Sequence, residues 1–118
     1  MGLDQYAHEV NSDGERPAIA CWRKHNRLQG WMEALYREKG GTGDFNCQEV
    51  ALDLEDLHNL EDAVRNRELP ETHGFFFGQD SYEDPLNAAE DRKADLAFIK
   101  KAREALRGGS RVVYSSWY

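Results

Sequence analysis

Cysteine is scarce in this chain, long apolar runs are missing, and the compact signatures of nucleotide or nucleophile chemistry do not occur. Cys21 and Cys47 are the only cysteines in 118 residues. With no basic and apolar leader at the N-terminus they read as reduced thiols rather than as a bridge. No apolar stretch approaches the roughly 20 residues that a membrane-spanning helix requires. A membrane is therefore not an expected partner, and the chain is expected to stay in the cytoplasm where it is made. No GxSxG elbow is present, Gly40-Gly41-Thr42-Gly43 lacks the Lys-Ser or Lys-Thr ending of a phosphate loop, and no GxGxxG follows a strand. CxxC and HxxxH pairs are missing too. Cys21 and His25, four apart, could supply two metal ligands with Cys47 and His73 completing a tetrahedron, but a buried thiol and a hydrogen-bonded core histidine account for the same residues. Ser115 and Ser116 have no identifiable base beside them. No catalytic residue, metal or cofactor is assigned on this reading, and the expectation leans away from an enzyme.

What is there fits one folded unit. A chain of 118 residues, 40% hydrophobic and 31% charged, is long enough to bury a core without disulfides or a structural metal. Its net charge of −7 is unevenly placed. Residues 49–95 carry 14 acids against 4 bases, whereas residues 96–118 carry 1 acid against 5 bases. An acidic middle repels nucleic acid and attracts basic protein surfaces. Direct nucleic-acid binding is therefore not expected, and Glu55, Asp56, Glu61, Asp62, Glu90 and Asp91 are the partner-binding candidates.

Along the chain, alternation over Gly2–Val10 predicts a strand with Leu3 and Ala7 on one face and Tyr6, His8 and Val10 on the other, closed by the turn formers Asn11-Ser12-Asp13-Gly14. From Ile19 to Lys39 the spacing of Cys21, His25, Leu28, Met32 and Leu35 predicts a helix, stopped at Gly40-Gly41. Asn46–Leu52 reads as a short strand. Asp53 then caps a second helix that buries Leu57, Leu60 and Val64 and ends by Leu69-Pro70. His73-Gly74-Phe75-Phe76-Phe77-Gly78 is an aromatic crossing that needs cover on both faces. A third helix starts at Asp84-Pro85 or at Asn87 and runs to about Arg107, with Ala88, Leu96, Ile99, Ala102 and Leu106 as its buried stripe and Phe98 turned to another face. Arg111–Tyr118 is a strand. The fold class is α+β: a single small domain of three helices packed on a small, mostly antiparallel sheet.

Within this frame Trp22-Arg23-Lys24-His25-Asn26 is the most functional-looking run, because cations and an amide near a helix start can hold an anion while an indole offers a flat face. A pocket where Trp22, Arg23, Asn26 and His73 meet the Ser115-Ser116-Trp117 strand is the small-ligand alternative, the ligand being a nucleotide or another phosphate-containing molecule.

Taken together, Met1-Gly2-Leu3-Asp4 with Tyr6, Trp22-Arg23-Lys24 with Asn26 and Trp31, Asn46-Cys47, Leu69-Pro70 leading to Gly74-Phe75-Phe76-Phe77-Gly78, and the final Ser115-Ser116-Trp117 resemble a family of small uncharacterised proteins encoded by bacteriophages and prophages. The resemblance spans nearly the full length and departs from the usual pattern at Cys21 and Gly30. It implies a phage or prophage origin and residence in the bacterial host cell. The leading expectation is an accessory protein that binds a host protein or protein complex through the acidic middle, with inhibition of a host-defence complex as one form of that role.

Overall fold

The computed structural model describes residues 3–70 and 85–118, the side chains of 85–88 excepted. Three helices pack on a four-stranded antiparallel sheet, in the chain order β1 (Asp4–Val10), β2 (Ala18–Arg23), α1 (Asn26–Glu38), β3 (Val50–Leu52), α2 (Leu54–Arg65), α3 (Pro85–Arg107) and β4 (Arg111–Trp117). The strands lie in the order β2-β1-β4-β3. The first and last strands are therefore neighbours at the centre. Among the described residues no helix is long and apolar enough to cross a membrane.

Register decides which side chains meet the helices. Gln5 lies opposite Trp22 and Ser116, Ala7 opposite Tyr114, and Tyr114 opposite Val50. Residues directly opposite share a face, so these form the inner surface. The helices cover that surface through Leu28, Met32, Leu57, Leu60, Phe98, Ile99 and Ala102. The outer surface carries Asp4, Tyr6, Cys21, Arg23 and Trp117. The β1–β2 turn is built as its sequence suggests: Asn11 Oδ1 accepts from the backbone N–H groups of Asp13 and Glu15, and Gly14 takes φ +84°.

Three expectations need correction. The helix expected from Ile19 is a strand up to Arg23, and α1 begins only at Asn26. Leu28, Met32 and Leu35 are buried as the spacing required, but Cys21 is exposed on the outer surface. The six residues Ala18-Ile19-Ala20-Cys21-Trp22-Arg23 are too short a run to fix either period, and pairing with β1 settles it. The strand expected over Asn46–Leu52 shrinks to Val50–Leu52. Cys47 takes φ +64°, which breaks an extended run, and its N–H instead bonds Ser116 O while Asn46 Oδ1 accepts from Tyr118 N. The buried stripe of α3 is rotated from the expected one: Asp95, Phe98, Ile99, Ala102 and Ala105 are inside, whereas Leu96 and Leu106 are half-buried. Phe98 is a core residue, edge-on to Trp22 at 5.1 Å between ring centroids. The side chain of Ala88 and the Phe75–Phe77 crossing lie outside the described residues.

The α2 start matches its reading closely. Asp53 accepts from Asp56 N at 2.8 Å, and Asp56 returns the bond to Asp53 N at 3.0 Å, a reciprocal cap. At the other end of α2, Glu61 holds Arg65 of its own helix at 2.9 Å and Arg103 of α3 at 2.8 Å. The hydrogen bonds from Arg103 and then Arg65 keep the Glu61 carboxyl below the ordinary glutamate range. A depressed folded-state value means that this contribution is fully present above the unfolded value near 4.5 and is lost as pH falls through the lower folded one. Glu61→Gln should therefore cost about 0.5–1 kcal/mol at neutral pH. Its gap from the native chain should close as urea titrations are repeated at successively lower pH. A gap that is constant with pH would mean that the charge contributes nothing.

Candidate functional site

The inner surface of the sheet is not purely apolar. Gln5 sits at the same parity as Leu3 and Ala7 on β1 and is buried with them. Its Nε2 donates to His25 O at 3.0 Å and to Tyr114 Oη at 2.9 Å, and its Oε1 accepts from His25 N at 2.8 Å. Tyr114 Oη in turn donates to Gln29 Oε1 at 2.6 Å. Burial raises the Tyr114 hydroxyl far above the usual tyrosine range, only partly offset by the bond from Gln5. Tyr114 is thus a neutral donor and acceptor. The two-sided grip on the His25 backbone fixes the corner where β2 ends, a corner that Lys24 turns with φ +58°.

That corner drives the His25 side chain under α3. His25 is 1% exposed, with Nε2 2.8 Å from Asp95 Oδ2. Asp95 Oδ1 accepts from Trp22 Nε1 at 2.9 Å. Both oxygens of Asp95 are therefore acceptors, which places an imidazole proton on Nε2. Nδ1 has no hydrogen-bond partner among the described residues, and it faces Asp91 Oδ2 across 3.7 Å. Asp91 is one helical turn before Asp95 and its side chain is 28% exposed. Loss of solvent raises the Asp91 carboxyl above the ordinary aspartate range. His25 opposes that rise, while Asp95 and Glu90 add to it.

His25, Asp91 and Asp95 form the polar wall of a cavity of about 670 Å³ between α3 and the end of α2. Val64, Leu69 and Leu96 give it an apolar floor, and Arg65, Arg67, Arg92 and Lys93 bring four cations to its lining. The size suits a small molecule, and an apolar lining with a few convergent polar groups is the usual composition of such a site. Arg27 ties α1 to the segment beside the cavity by donating to Leu69 O at 2.8 Å.

The residues expected from sequence to form a ligand pocket do not converge. Trp22 is 7% exposed and Asn26 is buried at the start of α1, both inside the fold. Arg23 and Trp117 lie on the opposite side of the sheet, each in register with Asp4. Arg23 reaches the Asp4 carboxylate at 3.6 Å, and Trp117 is 65% exposed. His73 lies outside the described residues. The acidic candidates divide as well. Glu55, Asp62 and Glu90 are exposed, but Asp56 binds Lys39 at 2.5 Å, Glu61 is held by two arginines, and Asp91 faces His25. Cys21 and Cys47 are free and exposed, and among the described residues no three or more His, Cys, Asp or Glu side chains are grouped to hold a metal ion.

Sequence reasoning assigned no role to Asp95, Gln5, Gln29 or Tyr114. A signal existed for two of them: Gln5 shares its parity with Leu3 and Ala7, and Asp95 stands at helical spacing before Phe98, Ile99 and Ala102. No family model, no curated protein and no solved structure matches this chain.

Proposed function

We propose that the chain binds a small anionic molecule in the cavity beside α3, with phosphate-containing compounds as the first class to test. The observation that carries this reading is the pair Arg92 and Lys93, exposed on α3 in the lining of the cavity whose polar wall holds His25 and Asp91. The cations among the lining residues set the sign of the ligand.

The other reading, a phage accessory protein holding a host macromolecule through its acidic middle, has less behind it. Two of its six candidate carboxylates, Asp56 and Glu61, are already paired with cations within the fold, and Asp62 lies 3.5 Å from His58.

Isothermal titration with inorganic phosphate and with adenosine monophosphate tests the cavity. Binding should weaken by about tenfold in the Arg92→Ala/Lys93→Ala double variant, the loss expected for charge-assisted contacts worth about 1.5 kcal/mol or more. It should also weaken with added salt. No heat from either compound at millimolar concentration, or equal binding by the double variant, would remove this reading.

A further inference from the structure

The same cavity holds an arrangement that does more than bind. Asp91 is the only one of its three polar wall groups that combines partial exposure with a neighbouring base: His25 and Asp95 are 1% exposed and stand behind it. A proton reaching Asp91 from the cavity meets His25 Nδ1 next, at 3.7 Å, and His25 is itself backed by Asp95 at 2.8 Å. This is the order of an acid–base relay, in which the buried carboxylate orients the imidazole and the imidazole sets the proton balance of the outer group.

Among the described residues, the cavity lining contains no serine, threonine or cysteine to serve as nucleophile. A relay of this kind can complete a reaction with no second reactant if it takes a proton from one atom of a molecule and returns it to another atom of the same molecule. Resting on the anion-binding reading, we infer that Asp91 is a catalytic residue that moves a proton within a small anion bearing a C–H beside a carbonyl, with His25 and Asp95 as positioning residues. The C–H pair becomes the C=C bond of an enolate, the carbonyl π pair moves onto oxygen, and the proton sits on Asp91. Return of that proton to oxygen gives the enol, and where a C=C is conjugated with the enolate, its return to the far carbon moves that double bond, each an isomerisation with atoms and electrons balanced. Arg92 and Lys93 are exposed cations of the lining that a developing oxyanion can meet.

The groups that set the pH response are Glu90, Asp95, Arg92 and Lys93 on α3, Arg65 and Arg67 at the end of α2, and His25 at the start of α1. Their net effect leaves Asp91 a better proton acceptor than an ordinary aspartate.

Two probes separate this inference from anion binding itself. The first is 5-nitrobenzisoxazole, a neutral molecule in which removal of one C–H proton breaks the N–O bond and releases a coloured cyanonitrophenolate, so it reports the base alone. Native protein should exceed Asp91→Asn by about 10²-fold, while the exposed control Glu55→Gln keeps the native rate. The Asp91 side chain is partly exposed, so its amide variant is expected to fold. The second probe is pyruvate in D₂O, whose methyl deuteration needs both the base and the anion site.

Equal rates for native protein and Asp91→Asn on the first probe, or a native rate no faster than buffer, would overturn the inference even where calorimetry finds anion binding. Turnover of the first probe without deuteration of pyruvate would keep Asp91 as a base but remove a keto acid as its substrate class. For the positioning pair the readout is the pH–rate midpoint. Trp22→Phe takes one donor from Asp95, strengthens its pull on the His25 proton, and should move the midpoint downward. An unmoved midpoint would take Asp95 and His25 out of the relay.

Discussion

Asp95→Ala should lower the stability of the protein by about 3–5 kcal/mol, since two buried donors lose their acceptor at about 1–3 kcal/mol each and a void is left. Its carboxylate is 1% exposed and joins three elements, since it lies on α3, accepts from Trp22 on β2 and accepts from His25 at the start of α1. Removing it leaves an indole N–H and an imidazole N–H buried without an acceptor, together with a void where the carboxylate stood. For a domain whose total stability is roughly 5–15 kcal/mol, that loss leaves little margin. Asp95→Asn should cost about 1–3 kcal/mol, because the amide oxygen can keep the Trp22 bond while the amide nitrogen donates to a His25 that has moved its proton to Nδ1. Urea denaturation of the two variants gives the comparison directly. If Asp95→Ala shifted the midpoint by less than the equivalent of about 1 kcal/mol, the carboxylate would not be the joint between sheet and helices that its bonds describe.

The same residue explains why the core was only partly legible in the sequence. A stripe drawn through apolar residues alone passes Leu96 and Leu106 and excludes a carboxylate, yet α3 buries Asp95 because two donors on other elements offset its desolvation. Those donors are distant in sequence from Asp95, and no local period carries that information. Where the determinants are local, the reading succeeds. The Asp53 cap, the Leu57-Leu60-Val64 face of α2, the Pro85 start of α3, one of the two starts the sequence left open, and the β4 strand all follow from short-range rules. β2 illustrates the opposite case: its period is ambiguous by itself and is settled by pairing with β1. The acidic middle is a third kind of partial reading. A charge count along the chain sums Asp56 and Glu61 with Glu55 and Asp62, although the first two meet cations within the fold and the others face solvent.

Trp22 provides the sharpest contrast between a functional-looking residue and its place in the fold. As the flat face of a ligand site it would be dispensable for folding, whereas as a core residue it would not. It is 7% exposed, packs edge-on against Phe98, stands 6.2 Å from the Tyr114 ring and donates to Asp95. Trp22→Ala should therefore cost about 3–5 kcal/mol, the usual range for an aromatic removed from a core. Trp22→Phe, which keeps part of the ring contact but loses the N–H and some of the ring volume, should cost about 1–3 kcal/mol. Trp117→Ala serves as the internal comparison, since that ring is 65% exposed on the other side of the sheet and its loss should fall within about 0.5 kcal/mol of zero. The ordering Trp22→Ala, then Trp22→Phe, then Trp117→Ala in urea midpoint loss would assign the first tryptophan to the joint between β2 and α3. A Trp22→Ala protein as stable as the native chain would return it to the surface, and with it the Asp95 and His25 geometry on which the cavity depends.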